Sequence, residues 1–205
     1  YEYLITEENN RLPAVGYDEN AVSATVTVEY DSATGKYSAS VAYDKAGEKE
    51  FVFNNTYSPA PITISFGGTK TVVPSEGNSY ELAAETFSFK LIASDDNPST
   101  DPLSGEQIFT HDKNGKINID AEYTEAGIYK YTLSELSQSI MPMSDMPEKN
   151  DGIVYDTTVH NIVVNVTDDG RRNLSAVVET PNTRSADSGI SFNNGYDPTE
   201  TSTTI

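Results

Sequence analysis

Eight short runs in this chain alternate polar and apolar residues with a period of two. They are "ATVTVEY" (24–30), "SASVAY" (38–43), "PITISF" (61–66), "TFSFKL" (86–91), "KINIDA" (116–121), "IYKYTL" (128–133), "NIVVNV" (161–166) and "LSAVV" (174–178). Each is rich in β-branched or aromatic residues and is bounded by Gly, Asn, Asp or Pro. A period of two sends successive side chains to opposite faces, so such runs bury one face of a sheet and wet the other. The turn sequences "DSATG" (31–35), "DKNG" (112–115) and "DDG" (168–170) read as hairpin connections. No stretch sustains a helical period; a single short turn of helix, around Glu81 to Glu85, is all the sequence admits. The expected fold class is all-β, built of immunoglobulin-like antiparallel β-sandwich modules.

The runs also repeat in order. "YEYLITE" (1–7) matches "YKYTLSE" (129–135), an offset of 135 − 7 = 128. "GYDENAVSATVTV" (16–28) matches "VYDTTVHNIVVNV" (154–166), where 155 − 17 = 138, and "FNNTY" matches "FNNGY", where 194 − 55 = 139. The jump between the first two offsets places an insertion around "MPMSDMPEKND" (141–151), a polar loop. Residues 1–57 are therefore expected to be the C-terminal half of a module whose complete version spans 58–196, with 197–205 a linker or the first strand of a further module. With no initiator Met and no signal peptide, the sequence reads as an excised or processed piece of a tandem array.

Composition removes several function classes. A net charge of −19 over 205 residues leaves no basic surface for a nucleic-acid backbone. The chain has no Cys, so disulfides, thiolate metal sites and a Cys nucleophile are excluded, and its two His are too few for a His-rich metal site. No apolar run is long enough to insert into a membrane, and no phosphate-binding Gly loop or Ser-His-Asp motif is legible, so a conventional enzyme with a cofactor is not expected.

Parity along the strands isolates three polar residues. Lys70 shares a side with Ile62, Ile64, Phe66 and Val72; Glu135 with Tyr129, Tyr131 and Leu133; Asn194 with Phe192 and Tyr196. In the partial copy Glu7 follows Tyr1, Tyr3 and Ile5, and Asn55 lies between Phe53 and Tyr57. Glu8, Asn54, Asn193, Lys90 and Lys130 point the other way. Asn is disfavoured in strands, because its amide competes for backbone hydrogen bonds. A buried Lys, Glu and Asn are each costly alone. Together they can react, because burial lowers a Lys pKa and raises a Glu pKa, leaving a neutral amine beside a neutral acid. The Lys70 amine would attack the Asn194 carboxamide carbon, while Glu135 would hydrogen-bond the amide oxygen and shuttle protons to the leaving ammonia. The same alternation also fits polar residues that merely emerge from the core at strand ends.

In this order, and half repeated, the motifs resemble the isopeptide-forming β-sandwich of Gram-positive pilins, of the streptococcal backbone-pilin type, found also in repetitive surface adhesins. "GGTKTV" (67–72) with "ETFSFKL" (85–91) is similar to that family's first strand pair, "AGIYKYTLSEL" (126–136) to its Glu-bearing strand, and "FNNTY" and "FNNGY" to its closing F-x-N-T-Y strand. The resemblance implies an isopeptide bond between Lys70 and Asn194 with Glu135 as acid/base, and equivalent roles for Glu7 and Asn55. Gly195 stands where the family has Thr. Lys36, Lys45 and Lys49 belong to the wrong strands to serve Asn55. It further implies a self-crosslinked stalk or shaft module at the bacterial surface or in a cell-wall-anchored fibre. Its partners would be neighbouring modules or identical subunits, with host ligands bound elsewhere in the protein. Lys49 is the candidate intersubunit acceptor.

Two other readings stay open on the residues alone. Tyr-rich strands, with 13 Tyr in the chain, could form a carbohydrate platform of an adhesin. The acidic turns "SDDNPSTD" (94–101) and "DDG" (168–170) supply oxygen ligands for a calcium-stabilised repeat.

Overall fold

The computed structural model describes residues 1–44, 51–137, 152–180 and 189–198, and they contain strands and turns but no helix. Lys45, Lys49 and the loop residues 141–151 lie outside the described residues, as does the tail beyond Pro198. The chain divides into two compact units, Tyr1–Pro59 and Ala60–Ile205.

The first unit holds β1 (Glu2–Thr6), β2 (Val15–Gly16), β3 (Ala21–Asp31), β4 (Lys36–Tyr43) and β5 (Thr56–Tyr57). β1, β3 and β4 form one antiparallel sheet, and β2 pairs with β5. The "DSATG" turn is a true hairpin: Gly35 donates its N–H to Asp31 O at 2.8 Å and takes a φ of 68°. Most of the apolar side chains here stay in contact with solvent, Leu4 at 69% and Tyr3 at 55% exposure among them.

The second unit is a sandwich. One sheet runs β13 (Leu174–Glu179), β12 (Val159–Asp168), β10 (Gly127–Glu135), β7 (Ser88–Ala93), β8 (Glu106–Thr110); the other runs β11 (Ile153–Val154), β14 (Ser191–Tyr196), β6 (Ile62–Pro74), β9 (Lys116–Tyr123). Period-two burial is clean in β9, where Ile117, Ile119, Ala121 and Tyr123 are buried between exposed neighbours. β10 does the same with Tyr129, Tyr131, Leu133 and Glu135. Side chains from the two sheets meet in the middle: Phe66 stacks on Tyr131 with centroids 6.2 Å apart, Phe89 meets Phe192 at 4.9 Å, and Tyr123 meets Tyr129 at 4.6 Å. Tyr123, Tyr129 and Tyr131 are thus core residues rather than a surface platform.

Two local expectations are corrected. β6 and β14, the first and last strands of this unit, pair in parallel, Ser191 opposite Thr69 through Tyr196 opposite Pro74. Chain ends that must run side by side in the same direction cannot be joined by a hairpin, so no turn signal announces such a pair. "DKNG" links β8 to β9, which belong to opposite sheets, and closes as the tight antiparallel turn expected: His111 bridges Ile117, and Asp112 N–H donates to Lys116 O at 2.9 Å. Around Glu81 to Glu85 the backbone makes a turn instead of a helical one: Glu85 has a φ of 62°, outside the helical region, and Thr86 Oγ1 donates to Ala83 O at 2.8 Å.

Polar groups inside the sandwich are connected. Tyr131 Oη donates to Asp101 Oδ1 at 2.6 Å and lies 3.1 Å from Tyr123 Oη. Asp101 also accepts from Leu103 N and Asn97 Nδ2, so the last acidic residue of "SDDNPSTD" is turned inward to hold a tyrosine. Burial pushes the Tyr123 phenol up to about 12, and burial together with the Asp101 hydrogen bond pushes Tyr131 higher still. Unfolded tyrosines lose their protons at about 10, where these two keep theirs, so the native state loses stability as pH rises above that value. A spectrophotometric titration should show late ionisation of Tyr123 and Tyr131, coincident with unfolding, after the exposed members of the 13 Tyr have ionised. Ionisation of all of them together in the folded protein would contradict this.

Candidate functional site

Lys70, Glu135 and Asn194 are the charged or amide residues that the strand register brings together in the core. On the parallel pair, Lys70 stands opposite Phe192 and Asn194 opposite Val72, so both point into the sandwich from neighbouring strands of one sheet. Glu135 comes from the other sheet, at the end of β10 where it faces Phe89 of β7. All three are buried, at 1%, 8% and 0% exposure. Lys90, Lys130, Asn54 and Asn193 lie outside the core, as their parity requires.

The three side chains converge on one carboxyl. Lys70 Nζ lies 2.9 Å from Glu135 Oε1 and donates to Oε2 at 3.0 Å, and Asn194 Nδ2 donates to Oε1 at 2.9 Å. Asn194 Oδ1 accepts the backbone N–H of Asp156 at 2.8 Å. A backbone N–H can only donate, so the oxygen of the carboxamide must face Asp156 and its nitrogen must face Glu135. This corrects the expectation that Glu135 binds the amide oxygen: it sits at the carboxamide nitrogen.

Aromatic walls keep water out. The Phe87 ring lies 4.6 Å from Lys70 Nζ, and Tyr155 packs edge-on against Phe87 at 5.9 Å. Burial pushes the Lys70 amine below its ordinary 10.5, while the hydrogen bond and charge of Glu135 pull it back up in part. The result is an amine that gives up its proton more readily than an exposed lysine, held against the group that can take it.

Backbone geometry fixes where Lys70 points. Its N–H donates to Gly115 O at 2.6 Å, so the "DKNG" turn lies directly on β6. Gly115 has a φ of +78°, and a Cβ there would meet Lys70 O at 2.1 Å. Gly115→Ala should therefore cost about 1–3 kcal/mol through a forced left-handed conformation and a displaced β6. Calorimetry would detect the loss; an unchanged melting temperature would show that the turn does not bear on this strand.

The first unit reproduces part of this site. β1 pairs with β3 as β10 pairs with β12, in the same register: Tyr3 opposite Ala24 corresponds to Tyr131 opposite Ile162. Asn55 Nδ2 donates to Glu7 Oε1 at 2.6 Å, and Asn55 Oδ1 accepts Asp18 N–H at 2.9 Å. Glu7 Oε2 is buried and has no hydrogen-bond partner among the described residues. The corresponding carboxyl in the second unit uses both oxygens on Lys70. Lys36, the described lysine of this unit, stands at the hairpin end of β4 opposite Asp31.

The family model for the Spy0128-like isopeptide containing domain, FctA, matches residues 1–58 and 66–197. The chain belongs to this family. Solved structures similar to this isopeptide domain include the major pilin protein T-13 from Streptococcus pyogenes, at 20% identity over 66% of this chain and 53% of that one, TM-score 0.37. Another is the major pilin from Streptococcus pyogenes, at 16% identity over 96% of this chain and 69% of that one, TM-score 0.29. The chain thus spans about half the length of the T-13 pilin it matches. No curated protein matches it.

Two residues of this isopeptide domain's site escaped the reading of strand parity. Phe87 precedes β7 and its contact with Lys70 depends on the packing of opposite sheets. Asp156 lies between β11 and β12, where alternation says nothing. The one signal for it was its recurrence after Tyr in both copies, "GYD" and "VYD".

Proposed function

We propose that this chain is a stalk or pilus-shaft segment of a bacterial cell-surface protein, made rigid by an autocatalytic isopeptide bond between Lys70 and Asn194. The observation that carries the reading is the convergence of an amine and a carboxamide on one buried carboxyl, from three strands in two sheets. Membership of the isopeptide-domain family supports it.

The chemistry follows from the placement. Glu135 takes a proton from the Lys70 ammonium, leaving a neutral amine and a neutral acid in a dry site. Nζ attacks Cγ of Asn194 and a C–N bond forms. Glu135 then gives its proton to Nδ2 and takes the second proton from Nζ, so that the C–Nδ2 bond breaks, Nδ2 leaves as neutral ammonia and Glu135 is neutral; passing that last proton to the ammonia gives ammonium and restores the Glu135 carboxylate. Lys70 ammonium and Asn194 carboxamide thereby become one secondary amide and one ammonia with its proton. The step occurs once per module, so the protein is its own substrate and not a catalyst in turnover. Neighbouring modules or identical subunits in an extracellular fibre are the proposed partners.

Intact-mass measurement of the native chain should show the loss of one ammonia for the second unit. Tandem mass spectrometry should find the β6 and β14 peptides joined. A full, unmodified mass would rule the crosslink out.

A further inference from the structure

The Asn194 carboxamide is held at both ends, and only one end is accounted for by Glu135. Its oxygen, where negative charge develops when the amine adds to Cγ, receives the backbone N–H of Asp156 at 2.8 Å. The carboxylate of the same residue closes a second contact on the same strand: Asn193 N–H donates to Asp156 Oδ2 at 2.8 Å. Thr158 N–H donates to its other oxygen, Oδ1, at 2.9 Å, which folds the Asp156–Thr158 loop into a fixed turn. Main chain and side chain of one residue therefore grip two consecutive residues of β14, one of them the reacting asparagine.

The first unit repeats the grip contact for contact. Asp18 N–H donates to Asn55 Oδ1 at 2.9 Å, Asn54 N–H donates to Asp18 Oδ2 at 2.9 Å, and Asn20 N–H donates to Asp18 Oδ1 at 2.9 Å. The surroundings differ, since Asn194 is fully buried and Asn55 is exposed, yet the geometry is the same. An ordinary Asx turn would account for the contact to residue 158 or 20 alone. It does not account for a backbone N–H aimed at the side-chain carbonyl of the corresponding Asn in both copies.

We propose that Asp156 completes the crosslinking site: its main-chain N–H is the oxyanion donor for the Asn194 carbonyl, and its carboxylate is the positioning group that aims that N–H. This inference rests on the Lys70–Asn194 reading. It divides the labour in the site. Glu135 handles protons at the amine and at the leaving nitrogen, and Asp156 stabilises the charge on oxygen. A preorganised N–H in a water-excluded site is effective in this role because it need not reorient as charge appears. Its carboxylate does not oppose the developing charge at short range, because both of its oxygens are turned to the N–H groups of Asn193 and Thr158.

The test uses the full chain with Lys70 carrying a photocleavable carbamate on Nζ. The chain is decaged in denaturant and refolded by dilution, and ammonia loss is followed by mass against time while refolding is followed by circular dichroism. Asp156→Ala should slow ammonia loss well below the rate of refolding, and Asp156→Asn, which keeps one acceptor oxygen, should recover part of it. A semisynthetic chain with the Tyr155–Asp156 amide replaced by an ester removes that N–H while keeping every side chain, and should slow the step by about 100–1,000-fold. In a Lys70→Ala background, the ¹³Cγ resonance of Asn194 should move upfield in both the Asp156→Ala and the ester chains, reporting loss of the hydrogen bond. If the parent loses ammonia and the ester chain does so equally fast, the role of Asp156 is overturned while the crosslink stands. If the decaged parent loses none, both fall together. Should Asp156→Ala not refold, the ester chain decides the question alone.

Discussion

Asn194→Ala should lower the melting temperature of the second unit by roughly 10–20 °C. The proposed crosslink would close a loop of 194 − 70 = 124 residues, and removing that constraint from the unfolded chain would be worth on the order of 4–5 kcal/mol. This substitution strands no charge, because Lys70 and Glu135 keep their ion pair. Its small cavity and the freed Asp156 N–H add to the loss, so the figure is a lower bound on the total change. The variant should keep its full mass, and scanning calorimetry of parent and variant side by side measures the difference. Equal melting temperatures, with a mass short of one ammonia only in the parent, would show that the bond forms without stabilising the domain.

Glu135→Ala should be more damaging than Asn194→Ala. It should stop the proposed reaction, so the covalent constraint would be lost as before. It also strands the Lys70 ammonium at 1% exposure with no counter-charge, a change that typically costs about 3–5 kcal/mol in addition. Lys70→Ala in the same chain should recover much of that second loss, since it removes the stranded charge. The two effects separate by pH. In uncrosslinked chains the folded-state pKa of Lys70 lies below its ordinary 10.5. The unfolded state then binds more protons, so stability rises as pH climbs from the lowered value towards 10.5. That rise should be steeper in Glu135→Ala, where no carboxylate pulls the pKa back, and absent from the double variant Lys70→Ala/Glu135→Ala. A flat difference between the single and double variants across this range would count against a charged Lys70 in the core.

Much of this was legible in the sequence, and for one reason: a strand has a period of two. "IYKYTLSE" assigns Glu135 to the core as soon as Tyr129, Tyr131 and Leu133 are, and "SFNNGY" separates Asn194 from Asn193. The repeat added register, since pairings in the first unit recur in the second at fixed offsets. What alternation does not encode is anything set by strands far apart in the chain. The parallel partnership of β6 and β14 joins residues 122 positions apart, and no local turn foretells it. Which end of the Asn194 carboxamide meets Glu135 is decided by one N–H from the loop before β12, a direction invisible in side-chain periodicity. The Glu81–Glu85 segment misled for a related reason: "ELAAE" has good helix propensity, but His111 O takes the Glu85 N–H and draws the segment onto the sandwich.

The parallel pairing of β6 with β14 decides how such a unit would answer a pull on its two ends. Force applied at the start of β6 and at the end of β14 drags two side-by-side strands in opposite directions along their own axes. That is shear: the ladder from Ser191–Thr69 to Tyr196–Pro74 must slip as a block, so its hydrogen bonds strain together instead of parting one at a time. A hairpin pulled at its open end would peel instead. Shear makes the hydrogen-bonded ladder itself stiff, before any covalent link between Lys70 and Asn194 takes load. An array of such units would transmit tension with little extension, like a cable whose strands are clamped before they are welded.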